Sequence, residues 1–242
     1  MAPTLHRGVL ERLGTDIITG TYPPGHVLTL DQVCAEHAVS RTVAREVVQV
    51  LRSMGLVESR RRTGVTVRPA GSWNVFDPSV IRWRLEGPER ASQLRQLTEL
   101  RAAIEPLAAA SAAGHASDRQ RRRLVELAGL LEETGSRGDL ERFLDHDVEF
   151  HRVLLEGSGN DMFAGLSDVV EAVLRGRTHH HLMPPQPKPE ARRLHEVVAD
   201  AVAGGEPEVA QAAMTAIVAE VVAEVARLAT QAATTADGDD RR

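Results

Sequence analysis

The sequence predicts a mainly α protein in two parts: three helices closed by a β-hairpin, then an all-α helical bundle. Three observations carry that prediction. Residues 7–69 hold three amphipathic stretches with short connections, followed by two alternating strands. Beyond residue 72 the chain shows long helical patterns rich in Ala, Leu, Val, Glu and Arg, with no strand alternation. Charge divides at the same place: the first 70 residues hold nine arginines, no lysine and six acids, a balance of +3, which leaves −8 on the remainder to reach the chain's net −5. A basic part attracts a polyanion and an acidic part stays clear of one.

The elements follow in order. Leu10, Leu13, Ile17 and Ile18 describe a first helix that stops at Gly20, and Pro23-Pro24-Gly25 forms a turn. Thr29-Leu30-Asp31-Gln32 reads as a capping box that opens a short helix over Leu30–His37. Ala38-Val39 leaves only a brief connection before Ser40, an N-cap for a third helix. On that helix Val43, Val47, Val50, Leu51 and Met54 form one face and Arg41, Arg45, Gln49 and Arg52 the other. A helix entering a DNA major groove needs this division, with Arg41 and Thr42 in the first turn where free N–H groups meet phosphates. Taken alone, the helix reads equally as an ordinary solvated basic face. Gly55-Leu56-Val57 ends it, and 57–60 and 65–68 alternate as strands around the turn Arg61-Arg62-Thr63-Gly64. A hairpin tip of arginines directly behind a helix-turn-helix is a wing able to reach phosphates. The first part is therefore a winged helix-turn-helix.

Pro69-Ala70-Gly71-Ser72 marks the boundary, giving a DNA-binding domain over 1–69, a linker over 70–78, an effector-binding and dimerisation domain over 79–232, and a disordered tail over 233–242. Helices are expected over 78–85, 90–114, 118–134, 139–156, 161–177, 188–203 and 207–230. The single cysteine, Cys34, excludes an internal disulfide and fits a reducing compartment. Nothing near Met1 resembles a signal peptide, and no apolar run approaches the ~20 residues of a membrane span, so a cytoplasmic protein with no membrane partner is expected. Within the bundle, Asp147 and His151 at i, i+4 share one helix face, able to hold a metal or one polar ligand; a solvent-facing pair is the alternative.

These residues carry two resemblances. Ile18-x-Gly20-x-Tyr22-x-Pro24-Gly25-x-x-Leu28, Val39-Ser40-Arg41-x-x-x-Arg45-Glu46, Gly55-Leu56-Val57 and Gly64-x-x-Val67 together resemble the winged helix of the GntR superfamily of bacterial transcription regulators. That resemblance implies operator contacts at Ser40, Arg41, Thr42, Arg45 and the wing glycine Gly64, beside the wing arginines Arg61 and Arg62. Cys34 and Ala38 stand where Ala and Gly are usual, which implies altered packing at the helix junction. Leu97-Thr98-Glu99-Leu100-Arg101-x-x-x-Glu105-Pro106, Asp147-x-x-Phe150-His151, Gly159-Asn160 and His195-x-x-Val198-x-x-Ala201-x-x-x-Gly205 resemble the FCD ligand-binding domain of the FadR-like branch.

Many FCD domains bind a metal through one Asp and three His, and three of those positions match as Asp147, His151 and His195, the fourth being Ile217. The resemblance thus implies either a divalent metal such as zinc with an open position, or side chains that hydrogen-bond the effector directly. His179-His180-His181 is a substitute ligand or a solvated loop. Trp73-Asn74-x-x-Asp77-x-x-Val80-x-x-Trp83 is similar to a segment of sugar-acid regulators of the galactonate type, whose effector-contacting arginines match Arg101 and Arg175. A salt bridge to Glu105 is the other reading of Arg101, and stapling of the linker to the bundle the other reading of the two tryptophans. A guanidinium grips a carboxylate, and an Asp–His–His cluster serves hydroxyls. The expected protein is a homodimeric repressor that binds double-stranded operator DNA and a small-molecule carboxylate effector, a sugar acid such as an aldonate; a metal-bound dicarboxylate or short organic acid is the alternative. His146-Asp147 with His115 and Asp200 also resembles the arrangement of all-α metal-dependent phosphohydrolases, a remote alternative, and no enzyme is expected.

Overall fold

The computed structural model describes residues 2–60, 64–179 and 187–239. The chain forms two compact units that divide after Arg90.

The first unit runs through α1 (Ala2–Ile18), β1 (Val27–Leu28), α2 (Leu30–His37), α3 (Arg41–Ser53), β2 (Val57–Arg60), β3 (Gly64–Val67), a single turn of tighter helix at Ala70–Ser72, and α4 (Pro78–Glu86). The capping box forms as expected, Thr29 accepting from the Gln32 N–H and the Gln32 side chain taking the Thr29 N–H. Ser40 caps α3 by accepting from the Val43 N–H at 3.3 Å. Ala44, Val47, Val48 and Leu51 are the fully buried face of α3, with Val43 and Val50 only half-buried, a rotation of the stripe by about one residue from that expected. The sheet has the order β1-β3-β2, all antiparallel, with Leu28 opposite Val65 and Arg60 opposite Gly64. The two-residue β1 was not expected. The wing residues Arg61 and Arg62 lie outside the described residues.

One expectation needs correction here. The boundary at 78 assigned α4 to the bundle, but α4 belongs to the first unit. Trp83 is fully buried in one core with Val9, Leu13, Val47 and Val80, and its indole N–H donates to Glu11 Oε2 at 2.7 Å. Gly14 makes this possible, since a Cβ there would overlap the indole ring. Trp83 thus fastens α4 to α1 rather than a linker to the bundle. Ala38, standing where glycine is usual, takes φ 52°, the one left-handed non-glycine among the described residues. It closes α2 by donating its N–H to the Cys34 carbonyl, at a position that favours glycine.

The second unit holds α5 (Arg90–His115), α6 (Asp118–Arg137), α7 (Leu140–Gly157), α8 (Asp161–Ala164), α9 (Ser167–His179), α10 (Pro189–Gly204) and α11 (Pro207–Asp239). Ser117 and Gln120 form a capping box on α6, and Gly138 and Gly205 end α6 and α10 in the left-handed conformation. The helix expected over 161–177 is broken after Ala164, before α9 starts at Ser167. The last helix passes its expected end at 230 and runs through the presumed tail to Asp239. Ala229, Ala232, Ala233 and Ala236 are strong helix formers, and no breaker intervenes before Gly238. The core joins Leu124, Leu127 and Leu131 of α6, Phe150 and Leu154 of α7, Val198 and Val202 of α10, and Met214, Ile217 and Val218 of α11. Among the described residues no helix is long and apolar enough to cross a membrane.

Candidate functional site

Two places gather the residues singled out in the sequence. On α3, Arg41, Thr42 and Arg45 are exposed on the side opposite the buried stripe. Arg41 reaches Asp31 of α2 at 3.2 Å, an ion pair exposed on both sides and hence readily given up to a phosphate. Gly64 has a structural reason to be glycine: its φ is 107°, and a Cβ would come within 2.9 Å of the Leu28 carbonyl. The glycine lets β3 lie close against β1.

The second place is inside the helical unit. Asp147 and His151 of α7 and His195 of α10 are all buried, with one ligand atom of each within 4.8 Å of the others. Helical spacing brings Asp147 and His151 together, and α10 brings His195 in from across the core. Around them stand Arg101 and Glu105 of α5, one turn apart and both fully buried. Arg101 donates Nε to Glu105 Oε1 at 2.7 Å and Nη2 to Oε2 at 3.1 Å. Its fork is therefore turned onto Glu105, as the salt-bridge reading has it, leaving Nη1 buried without a hydrogen bond.

The imidazoles are held with one nitrogen outward and one inward. His195 Nδ1 lies 2.7 Å from the Ala191 carbonyl, which places its proton there and turns an Nε2 lone pair toward Asp147 Oδ1, 3.1 Å away. His151 Nδ1 faces Glu105 Oε2 at 3.1 Å, while its Nε2 faces Asp147 Oδ1 at 3.5 Å and Arg101 Nη2 at 3.4 Å. The contacts to Asp147 Oδ1 are close, yet neither is aligned as a hydrogen bond, and Oδ1, His151 Nδ1 and His195 Nε2 stay unsatisfied in the interior. Lone pairs converging on a carboxylate oxygen in a dry site repel unless something positive sits among them. The donor set therefore fits a divalent cation, with the Ala191 carbonyl behind the His195 ring and Glu105 behind that of His151. Burial opposes charge on each acid. It is outweighed by Arg101 and His151 around Glu105, whose carboxyl falls to about 2, and by the two imidazoles around Asp147, held well below the usual carboxylate range. Burial likewise opposes the charge on His151, but Glu105 and Asp147 raise it to about 9. Without a cation, the acids draw a proton onto His151 in its place.

One expected site residue, Arg175, is not brought here. Arg175 is bonded to Glu171 at 2.8 Å and Asp145 at 3.1 Å, and its side chain is 38% exposed. Ile217 is an apolar part of the core. His179 ends α9, and His180 and His181 lie outside the described residues. The guanidinium that α9 does bury is Arg177, 8% exposed, whose charge is disfavoured by burial and by Arg101, bringing it down to about 10. A signal for it was present: Arg177 is in phase with Val170, Val173 and Leu174, all buried.

Both parts of the chain match known families. The model of the gntR family of bacterial regulatory proteins matches residues 5–67, and that of the FCD domain matches residues 96–220. The galactonate operon transcriptional repressor of Escherichia coli is 29% identical, over 86% of this chain and 92% of that protein. The HTH-type transcriptional regulator LutR of Bacillus subtilis is 30% identical, over 83% of this chain and 91% of its own length. Among solved structures, Lar, which controls the expression of the Listeria monocytogenes agr system, superposes with a TM-score of 0.62 at 19% identity, over 92% of this chain and 97% of its own. The chain is thus a member of the gntR family of bacterial transcription regulators, in the FadR-like branch whose second domain is the FCD domain.

Proposed function

We propose that this transcription regulator is a homodimeric repressor that binds double-stranded operator DNA through α3 and the wing and releases it when a sugar acid enters the buried cluster of the second unit. The observation that supports the effector site most is the set of neighbouring buried polar atoms without aligned partners, Arg101 Nη1, Asp147 Oδ1 and His195 Nε2, contributed by three helices of the second unit. Interiors leave few such atoms, and a cluster of them marks a place where something binds. Asp147, His151 and His195 would hold a divalent cation such as zinc, which when bound would supply an open coordination position and positive charge for a carboxylate.

The chain's own groups do the rest. Arg101 Nη1 donates toward an anion while Glu105 keeps the guanidinium in place. The Ala191 carbonyl fixes the His195 tautomer. Buried Arg177 adds a second positive charge on the α9 side. A six-carbon aldonate offers one carboxylate and a row of hydroxyls that suit such donors and acceptors, and the similarity to a galactonate operon repressor points the same way. A dicarboxylate or short organic acid is a second reading, favoured by the presence of two buried guanidiniums, Arg101 and Arg177. Thermal unfolding of the purified protein against aldonates, uronates and dicarboxylates, before and after chelation, separates the two. Stabilisation by an aldonate that weakens after chelation is the expected result. Stabilisation only by dicarboxylates would transfer the assignment to the second reading.

A further inference from the structure

The Arg101–Glu105 pair stands out because Glu105 does two things. Both of its oxygens are engaged by Arg101, and Oε2 is also 3.1 Å from His151 Nδ1. All three residues are at most 1% exposed. The ring of His151 therefore has the Glu105 carboxylate 3.1 Å from its Nδ1, close but not aligned as a hydrogen bond, and at its Nε2 both the donor Arg101 Nη2 at 3.4 Å and, slightly farther, Asp147 Oδ1 at 3.5 Å. A proton on a neutral ring is stable beside the carboxylate and unstable beside the guanidinium. The electrostatics of the pair thus select the tautomer with hydrogen on Nδ1, whose Nε2 lone pair faces Asp147.

We propose that Glu105 is the positioning residue of this site: it fixes His151 with Nε2 available toward Asp147 and His195, and it holds the arginine intended for the effector, so that one buried carboxylate sets both halves of the site. This inference rests on the cation reading given above. Glu105 touches neither cation nor effector and acts through His151 and Arg101. Glutamine in its place keeps the shape but has one acceptor and one donor. In either orientation its NH2 faces a donor of Arg101, so the pair that holds both side chains is broken; with the amide oxygen at the Oε1 position, the NH2 also faces His151 Nδ1 and favours the opposite tautomer, with the proton on Nε2.

The test uses the full-length protein as wild type, Glu105→Gln and Glu105→Asp. Zinc alone is titrated against a chromophoric chelator, and the His151 ring is followed by 15N-resolved NMR. In the wild type a downfield Nδ1–H resonance of His151 is expected with and without zinc. Glu105→Gln should lose that resonance and bind zinc about 10–100-fold more weakly, the range for removing an orienting partner of a histidine ligand. Glu105→Asp keeps the charge that neutralises Arg101 but shortens the reach to His151, so it should also weaken zinc; it decides the matter if the Gln variant does not fold. Wild-type zinc affinity and an unchanged His151 resonance in either folded variant, with only thermal stability lowered, would overturn the proposal and reduce Glu105 to a counter-ion of Arg101. If the wild type itself fails to bind zinc, the cation reading falls, and the Nδ1–H resonance alone decides whether Glu105 orients His151.

Discussion

Ala38 shows how much a single residue can report. Its left-handed backbone, φ 52° and ψ 43°, closes α2 two residues before Ser40, the cap of α3. An L residue there is disfavoured by about 1–2 kcal/mol, from which the extra unfolded-state freedom of glycine, about 0.4–1 kcal/mol, must be subtracted. Ala38→Gly should therefore stabilise the first unit by about 0.5–1 kcal/mol, seen as a higher denaturant midpoint at constant slope. A lower midpoint would mean that the alanine methyl makes a contact worth more than its strain. At the same scale, Asp147, His151 and His195 could hold an ion as three ligands, and Ile217, at the position where the FCD resemblance implies a fourth, is an apolar part of the core. Such a site should hold its ion loosely enough that prolonged dialysis against chelator empties it, as checked by elemental analysis. Stoichiometric zinc surviving that treatment would require a fourth protein ligand.

At the scale of elements, caps and stripes were legible and short pairings were not. Thr29 with Gln32, and Ser40, each announced a helix start because the cap is a local interaction. The two residues of β1 have no periodicity to read, and they form a strand only because β3 lies alongside. Arg175 and Arg177 illustrate the same limit. Two residues apart, they point to nearly opposite sides of α9, and which side is buried depends on packing. The reliable signal for the buried site was a charged residue in phase with an apolar stripe. Glu105 falls in step with Leu94, Leu97, Ala108 and Ala112, and His195 with Val198 and Val202. Two element-level predictions follow from burial and exposure. Arg45 is exposed on α3, so Arg45→Ala should cost about 1–3 kcal/mol of specific operator binding, measured by gel shift against unrelated DNA; unchanged affinity would displace α3 from the groove. Gly14 lies under the Trp83 ring, so Gly14→Ala should overpack this contact by about 1–3 kcal/mol, more than the roughly 1 kcal/mol that alanine gains in a helix. An unfolding midpoint equal to or above wild type would show that α4 yields without cost.

At the scale of the molecule, DNA contact and effector response are assigned to different units, one basic and one acidic. The division between them was legible in charge and hydrophobic period, but its position was not. Pro69-Ala70-Gly71-Ser72 looks like a linker, yet the first unit extends through α4 because Trp83 fills the space over Gly14, a long-range fit that no local pattern displays. The central claim, that a sugar acid in the Arg101 cluster releases the operator, is tested most directly by fluorescence anisotropy of the operator complex during titration with aldonates. Arg101→Lys is the variant of choice, because Ala would strand buried Glu105 at a cost of about 3–5 kcal/mol, whereas Lys keeps a positive charge but loses the Nη1 donor. The account predicts release of wild type by an aldonate and not by a neutral sugar or a fatty acid. Arg101→Lys should bind operator normally and need at least about tenfold more effector, corresponding to ~1.4 kcal/mol. Release of wild type by no sugar acid, or equal release of both proteins, would contradict it.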